Sequence, residues 1–466
     1  MRSSQSSSVR NASYASNRIV GRRRLGRPEG VVTRASRASE SKAAYDDARK
    51  VVSVGQPHGG YAVDAREKQS SPRQDARVIE SPPSSSSLAW GGRQKNGAMP
   101  LKLLTGYGEV VNALCAELAR TGAGDVVDFS VYVFEKGESS QRVMEAMKRA
   151  VRRGVKVRCT VDGSPVSKFT RWCEGSTTLT SELENLQRDF GSDRFTFTAV
   201  KQATHAKWMV VERKNGTGLP SAIFGGVNVG DRFSNWRDFA IRAEGRDVVD
   251  AMRQAVSMDP SSTKLASNAD IVFASNLPTG FCPLAWAFPR YLTYPGRFDV
   301  KTSIVNLLSD PKYSRYYVAM AYVDSVGADM LARVLERPGT SLKVIVPRNP
   351  NVYHDANRKA LVRLIEKTRA RGQNLRILLI DDMLHAKVFF AESDLDNVQD
   401  IAMMGSCNLK QRSLGQFVEL NAVIRQPALT VALRRQLEFI MKDSQTANMD
   451  DLRFSEPKAT IEEWLG

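Results

Sequence analysis

The chain has 466 residues, more than one hydrophobic core usually supports, so two or more folded units are expected. An apolar share of 42% excludes disorder of the whole chain, and no apolar run approaches the length of about 18 residues that a membrane-spanning helix needs. The five cysteines are scattered without a Cys-x-x-Cys pair, which argues against a zinc site or a disulfide framework and favours a reducing compartment.

The formal net charge of +17 is concentrated in the N-terminal tail. Residues 1–98 carry 18 Lys and Arg against 8 Asp and Glu, while the remaining 368 residues hold a net charge of only +7. A nucleic-acid-binding protein is expected to concentrate its positive charge on the fold that binds. The distribution therefore weakens a nucleic-acid function without excluding it.

The first 98 residues are predicted to be a disordered basic tail. They are rich in Ser, Arg, Gly and Pro and show no lasting apolar period, so they bury too little apolar surface to offset the entropy of folding. The first 38 residues contain nine arginines and one acid, a pattern typical of an organelle transit peptide. We therefore predict a mitochondrial location, with the plastid as the alternative organelle. The alternative interpretation is a solvated basic tail without a targeting role.

From residue 99 onwards, strand and helix patterns alternate. In the first half the predicted elements are a strand at 128–134, a helix over 143–151, strands at 155–161 and 195–200, a strand at 223–224 and a helix over 248–258. The second half repeats this order, with a strand at 317–323, a helix over 328–335, a strand at 342–346, a helix around 361–365, strands at 375–380 and 403–404 and a helix over 429–441.

This alternation predicts an α/β fold in which helices cover a central sheet, present as two tandem domains at residues 99–265 and 299–466. The segment 266–298 between them is rich in aromatic residues and proline, and is predicted to be a linker. Its aromatic and basic residues around Trp286 favour either an interfacial membrane anchor or a linker that packs its own rings.

The tripeptide His-Ala-Lys occurs twice, although the chain has only four histidines. After each copy, an acid follows the histidine by seven residues, an asparagine follows it by 23 in a Gly-[Gly/Ser]-x-Asn turn, and a further acid opens an apolar run. Chance does not keep so many polar positions in step across 180 residues, so we interpret them as two halves of one active site. These positions are His205, Lys207, Glu212, Asn228 and Asp238, and then His385, Lys387, Glu392, Asn408 and Glu419.

The residue types of the repeat suit chemistry on a phosphodiester. One histidine cannot be nucleophile and acid at the same instant, but His205 and His385 can divide these roles if they face each other. Two lysines and two asparagines converging on one centre match a tetrahedral oxyanion. His-x-Lys spacing on a strand puts both side chains on one face, which places Lys207 and Lys387 beside their histidines.

Substrate binding is predicted at the two turns, where glycine lets the backbone approach a ligand, and involves Gly226, Asn228, Ser406 and Asn408. Asp238 and Glu419 are placed to accept a hydrogen bond from an imidazole N–H, which fixes the tautomer and supports the imidazolium. The carboxylates are too few and too dispersed for a two-metal site, so a reaction without metal or other cofactor is predicted.

Other polar residues near the repeat have ordinary interpretations. Arg232 and Arg412, each four residues after its asparagine, could contact phosphate, but a salt bridge is at least as reasonable. Cys407 occupies the variable position of its turn, so a catalytic thiol is not expected.

The paired His-x-Lys-x4-acid and Gly-[Gly/Ser]-x-Asn motifs resemble those of the phospholipase D superfamily. Residues 225–230 with 236–238, and residues 405–409 with 412–413, are most similar to its cardiolipin synthase and phosphatidyltransferase branch. The resemblance covers roughly residues 100–445. It implies two tandem α/β/α sandwich domains related by a pseudo-twofold axis, with one active site at their interface.

The resemblance also implies a covalent phosphohistidine intermediate. His205 would be the nucleophile and His385 the acid that protonates the leaving alcohol, after which water or a second alcohol resolves the intermediate. Glu212 and Glu392 stand where the family usually has aspartate, and the role implied for them is structural.

Three functions remain at this point. The leading hypothesis is a phosphatidyltransferase or phospholipase acting on a phospholipid at a membrane surface, peripheral to the membrane and functional as a monomer. The alternative is a nuclease of the same superfamily that cleaves nucleic-acid phosphodiesters, which the overall basicity keeps open. A catalytically inactive scaffold is the third, and two intact histidine motifs argue against it.

Overall fold

The computed structural model describes residues 100–164, 177–214, 218–257, 270–276 and 300–465, together with Lys168. The predicted disordered tail and transit peptide, and the segment around Trp286, lie outside the described residues.

The first sheet has seven strands in the order β1-β7-β6-β5-β2-β3-β4. Its strands are β1 Leu101–Leu104, β2 Val126–Val131, β3 Lys156–Asp162, β4 Phe195–Val200, β5 Lys207–Glu212, β6 Ser221–Gly225 and β7 Ala240–Glu244. Strands β2, β3 and β4 are parallel, and the other pairings are antiparallel. The helices of this half are α1 Tyr107–Ala119, α2 Glu138–Arg152, α3 Thr180–Phe190 and α4 Arg246–Val256, with a short 3-10 turn at Asp231–Phe233.

The second sheet has eight strands in the order β15-β11-β10-β9-β12-β13-β14-β8. Its strands are β8 Ile271–Asn276, β9 Arg315–Met320, β10 Ser341–Pro347, β11 Leu375–Ile380, β12 Lys387–Glu392, β13 Ile401–Gly405, β14 Glu419–Ile424 and β15 Gln445–Thr446. The helices of this half are α5 Val300–Ser309, α6 Ser325–Ala332, α7 His354–Lys367, α8 Gln411–Gly415, α9 Pro427–Lys442 and α10 Glu456–Leu465, with 3-10 turns at Arg333–Glu336 and Arg369–Asn374.

The two sheets share one topology. Reading the second sheet from β8 to β11 reproduces the first from β1 to β4, strand for strand, and only β15 is extra. The predicted tandem α/β repeat is therefore confirmed. Strand β8 lies inside the segment 266–298 that was predicted to be a linker, so the second sheet takes its edge strand from that segment.

Hydrophobic packing arranges the described elements in layers. Helices α1, α2 and α3 cover the outer face of the first sheet, and α5, α6 and α7 cover that of the second. The inner faces share one core with α4 and α9, in which α4 packs against β8 and α9 against β1. Because both faces of each sheet are covered, central strands such as β12 are buried along their whole length.

Two predicted boundaries differ from the structure for a physical reason. The strand predicted at 128–134 is β2, which spans Val126–Val131. Val133 and Phe134 are buried but have left the sheet, and an apolar run alone cannot distinguish the two situations. The helix predicted over 328–335 starts earlier, because the Asp324 carboxylate caps it by accepting from the backbone N–H groups of Val326 and Gly327.

Candidate active site

The two motif histidines, His205 and His385, lie in loops immediately before the central strands β5 and β12 rather than on them. His205 and Ala206 donate their backbone N–H groups to the Val418 carbonyl at 2.9 and 3.0 Å. His385 and Ala386 donate in the same way to the Arg237 carbonyl, at 2.8 and 3.1 Å. The backbone of each histidine loop is therefore held by the opposite half of the chain.

The acids cross between the halves as well. His205 Nδ1 lies 3.1 Å from Glu419 Oε2, and His385 Nδ1 lies 2.6 Å from Asp238 Oδ2. All four side chains are buried. The structure thus places each predicted acid on an imidazole, and each half supplies the acid that orients the other half's histidine.

The two motif lysines are buried beside the histidines. Lys207 Nζ donates to the His205 carbonyl at 2.5 Å, and Lys387 Nζ donates to the His385 carbonyl and lies 2.9 Å from His385 Nδ1. Burial, reinforced by the nearby charge of Lys387, lowers the pKa of Lys207 to about 7. Burial likewise lowers the pKa of Lys387 to about 8, against the opposing effect of Asp238. Two closely spaced cations suit an anionic ligand.

Both imidazoles are held in the neutral form. Burial lowers the pKa of His205 to about 4, with Glu419 opposing and Lys207 reinforcing the shift. Burial, Lys387 and Lys207 together hold the pKa of His385 well below its ordinary value. A neutral imidazole has a lone pair available for attack on phosphorus.

The two acids are not equivalent. Burial raises the pKa of Asp238 to about 6, although Lys387 and the Phe239 N–H favour its charged form. Burial alone would raise the pKa of Glu419 too, but His205 and Lys207 outweigh it and leave this pKa below its ordinary value. The carboxylate that faces His205 is therefore the more firmly ionised one.

The two Gly-[Gly/Ser]-x-Asn turns lie against the two acids. The Ser406 hydroxyl donates to Glu419 and accepts from the Leu420 N–H at 3.0 Å. At the equivalent Gly226, a Cβ atom would come within 2.3 Å of Asp238 Oδ1. Ser406 thus contacts Glu419 and Gly226 leaves room for Asp238, and the substrate-binding role predicted for both stays a prediction.

The asparagines sit at the ends of the turns. Asn228 Oδ1 accepts a hydrogen bond from the Val133 N–H at 3.2 Å, which fixes the amide after β6. Asn408 is buried in the corresponding position after β13. Their predicted role in substrate binding stays a prediction.

Aromatic rings frame both imidazoles, and sequence reasoning did not single them out. Tyr132 and Phe417 have ring centroids 4.9 and 6.3 Å from His205, and Trp236 and Tyr322 have theirs 4.9 and 6.1 Å from His385. The sequence does contain a pattern that indicates two of these rings, since Trp236 and Phe417 each precede an acid of the repeat by two residues.

The motif acids Glu212 and Glu392 lie at the far ends of β5 and β12 from the histidines. Glu212 pairs with Arg246 and, at 2.8 Å, with Arg253, both on α4. Glu392 pairs with Arg315 at 2.8 Å and with Arg434 on α9. These contacts tie helices to strand ends and fit the structural role that was implied for both acids.

The two repeat arginines make protein contacts. Arg232 Nε lies 2.9 Å from Glu135 Oε2, and Arg412 donates to the Trp464 carbonyl. The salt-bridge interpretation therefore describes Arg232. Within the described ranges, no three His, Cys, Asp or Glu side chains group as a metal site would require. No helix among the described residues has the length and apolarity needed to cross a bilayer.

The sequence matches the model of a family described as "Cardiolipin synthase, PLD-like domain" over residues 114–259 and 304–441. The chain belongs to this family. One matched range falls in each sheet-bearing half, and together they cover every strand described above except the edge strands β1, β8 and β15, so each half is one phospholipase D-like domain.

Individual relatives of this phospholipase D-like chain are distant. It is 20% identical over 369 residues to a cardiolipin synthase of Clostridium perfringens, covering 72% of this chain and 68% of that protein. Phosphatidylserine synthase from Haemophilus influenzae has a similar structure, with a TM-score of 0.56, 13% identity and coverage of 78% of this chain and 91% of that one.

A polyphosphate kinase from Porphyromonas gingivalis is similar with a TM-score of 0.52, 15% identity and coverage of 78% of this chain. The phospholipase D-like chain spans about half of the kinase, 52% of its length. At such identities the structural likenesses establish the fold alone.

Proposed function

We propose that the chain catalyses phosphatidyl transfer or hydrolysis on a phospholipid, through a phosphohistidine intermediate and without a metal or other cofactor. The observation that carries this proposal is the convergence of two crossed histidine–acid pairs on two buried lysines. That set provides a nucleophile, an acid and a cationic phosphate site, which together are sufficient for phosphodiester exchange.

The first step forms a phosphorus–nitrogen bond. The neutral Nε2 of His205 attacks phosphorus, while Glu419 accepts a hydrogen bond from Nδ1–H and stabilises the positive charge that develops on the ring. The bond from phosphorus to the leaving oxygen breaks, and His385 gives its proton to that oxygen. In the second step His385 takes a proton from water or an alcohol, whose oxygen attacks phosphorus and releases His205.

The acid role requires His385 to be protonated when substrate is bound. In the free protein the charges of Lys387 and Lys207 oppose this, and burial opposes it more. A phosphodiester anion bound between the lysines offsets their repulsion and raises the pKa of His385. Asp238, at 2.6 Å from Nδ1, then stabilises the imidazolium.

A lipid substrate is favoured over nucleic acid by charge and by similarity. Residues 99–466 carry a net charge of only +7, and two of the relatives above, the cardiolipin synthase and the phosphatidylserine synthase, are named for phospholipid synthesis. The overall basicity still favours a nuclease as the second candidate.

The test supplies the full chain with phosphatidylglycerol vesicles and, separately, with single- and double-stranded DNA. We expect release of glycerol or formation of cardiolipin, and loss of this activity together with the phosphoenzyme in His205→Ala. His354→Ala is the matched control, because His354 is the first residue of α7 and takes no part in the histidine–acid pairs. DNA cleavage without any lipid product would overturn the proposal in favour of the nuclease.

We also propose a mitochondrial location at the membrane surface, supported by the arginine-rich composition of the first 38 residues. Imaging of the full chain fused at its C-terminus to a fluorescent protein should overlap a mitochondrial marker. A plastid or cytosolic signal would contradict this location.

A further inference from the structure

A third buried lysine lies beside the site, outside the histidine repeat. Lys410 follows Asn408 by two residues, and its Nζ lies 3.8 Å from the ring centroid of Tyr353 and 5.4 Å from that of Tyr322. The Tyr322 ring is in turn 6.1 Å from the His385 ring. Lys410 as a residue is only 6% exposed, so this cation is carried by a largely buried side chain on the His385 side of the site.

This ammonium contacts the face of the Tyr353 ring, but no negatively charged group in the described part of the chain pairs with it. Among these residues Lys410 has neither a carboxylate at ion-pair distance nor a hydrogen bond from Nζ. Asp324, the strongest favourable charge, accepts instead from the backbone N–H groups of Val326, Gly327 and Gln411. Charges on buried side chains are normally paired. The ammonium of Lys410 offers three N–H donors beside two aromatic rings, and it therefore suits an anionic ligand.

The lysine breaks the symmetry of the two halves. The Glu135 N–H donates to the Val229 carbonyl as the Asp324 N–H donates to the Leu409 carbonyl, which makes Gly230 the counterpart of Lys410. A Cβ at Gly230 would come within 2.9 Å of the Glu135 side chain. Since the first half folds the same way without this cation, the fold does not require it.

The backbone beside Lys410 is also strained. Tyr353 has φ 59° and ψ 36°, and among the described residues it is the one non-glycine residue with positive φ. This conformation holds its ring against the ammonium of Lys410 and 5.3 Å from the ring of Tyr322. Backbone strain of this kind is found at ligand-binding positions, where the surrounding structure enforces it.

We propose that Lys410, flanked by Tyr322 and Tyr353, binds an anionic phosphate carried by the acceptor alcohol, and so makes the protein selective for acceptors that bear a phosphate. The inference rests on the proposed function, in which His385 removes the proton of the acceptor hydroxyl. The acceptor oxygen bonds to phosphorus, the bond to His205 breaks, and the proton remains on His385. A phosphate attached a few atoms from that hydroxyl lies on the same side of the site as Lys410.

Glycerol with and without a phosphate tests this directly. The full chain receives phosphatidylglycerol vesicles as donor and either labelled glycerol or labelled glycerol 3-phosphate as acceptor. A second phosphatidylglycerol molecule can also act as acceptor, and cardiolipin formation measures that transfer. In Lys410→Met we expect the ratio of transfer to a phosphate-bearing acceptor over transfer to glycerol to fall at least about tenfold. A fall with glycerol 3-phosphate alone identifies a soluble acceptor, and a fall in cardiolipin alone identifies a lipid one.

Lys343→Met is the matched control. Like Lys410, Lys343 places its Nζ over a tyrosine ring, 5.0 Å from the ring centroid of Tyr317. Unlike Lys410, it lies at the Glu392 end of the sheet, close to Arg434 and away from the histidines. Its ratio should equal that of the wild type. Lys410→Arg should retain the preference, and Lys410→Gln replaces the methionine variant if that one does not fold. Equal losses with all acceptors in the Lys410 variants overturn this inference alone. A wild type that forms no product with any acceptor overturns the proposed function instead.

Discussion

At the residue scale, the two imidazoles have different acids and so have different predicted roles. In the proposed mechanism Glu419, whose pKa is lowered, stabilises charge on His205, whereas Asp238, whose pKa is raised to about 6, faces the histidine that takes up and releases a proton. This asymmetry agrees with a nucleophile at His205 and an acid at His385, the assignment that the family resemblance implied.

Asp238→Asn should therefore slow the reaction by a factor that depends on whether the leaving group needs a proton. We expect kcat on phosphatidylglycerol to fall at least about a hundredfold, because the amide no longer stabilises protonated His385. With a nitrophenyl phosphodiester the loss should be much smaller, because nitrophenolate leaves without a proton. Asp382→Asn, an acid on the exposed side of Arg237, is the control. Equal losses on both substrates would remove the acid role from His385.

Anion binding should depend on pH through the two buried lysines. The pKa values of Lys207 and Lys387, about 7 and about 8, mean that both amines lose their protons as the pH rises through this range. Sulfate does not titrate there and binds the protonated amines. Calorimetry should therefore show its affinity falling by at least about tenfold from pH 6 to pH 9. Lys387→Met should bind more weakly with a shallower pH dependence, and a flat wild-type profile would contradict the model of two titrating lysines.

At the scale of elements, each half of the repeat has a chemical end and a structural end. Strands β5 and β12 begin at the lysines of the site and finish at Glu212 and Glu392, which pair with arginines of α4 and α9. Substitutions at the structural end, around Glu212 and Glu392, are therefore expected to change the free energy of unfolding and not catalysis.

Glu392→Gln tests this separation. Glu392 accepts from Arg315 Nε at 2.8 Å and from the Tyr317 hydroxyl at 3.1 Å, and it pairs with Arg434. Urea unfolding should show a loss of about 1–3 kcal/mol, because a largely buried ion pair is broken, with kcat changed less than about twofold. Glu438→Gln removes the exposed partner of the same Arg434 and should cost less than about 0.5 kcal/mol. A large loss of activity with normal stability would place Glu392 in the chemistry.

Much of this arrangement could be predicted from the sequence because it is periodic or repeated. The strands before the histidines and the spacing of the polar positions followed from local pattern. The pairing of Asp238 with His385 did not, because spacing does not reveal which half an acid faces. Strand β8 could not be predicted because its partner β14 is distant in sequence. Lys410 could not be predicted because a comparison of the two repeats identifies only matching residues, and the counterpart of Lys410 is Gly230.

At the scale of the whole molecule, one chain supplies both halves of the site. Each histidine depends on an acid from the other domain, and the inner faces of both sheets share one hydrophobic core with α4 and α9. The site is therefore complete within a monomer.

Mixing two inactive full-length variants tests whether chains exchange halves. His205→Ala and His385→Ala each lack one histidine, and we expect their mixture or coexpression to stay inactive because each chain builds its own site. Each variant mixed with wild type controls for inhibition. Recovery of roughly a quarter of wild-type activity on coexpression would instead indicate a dimer with exchanged domains.

The crossed backbone contacts have a consequence for how substrate arrives. The N–H groups of the two histidine loops are bonded to Val418 and Arg237 in the opposite domain, so parting the domains would break these bonds and separate each imidazole from its acid. A clamshell opening would dismantle the catalytic groups at every turnover. Substrate and product are therefore expected to enter and leave while the two domains stay joined. Under the proposed function, a lipid would then present its headgroup to a centre that is already assembled.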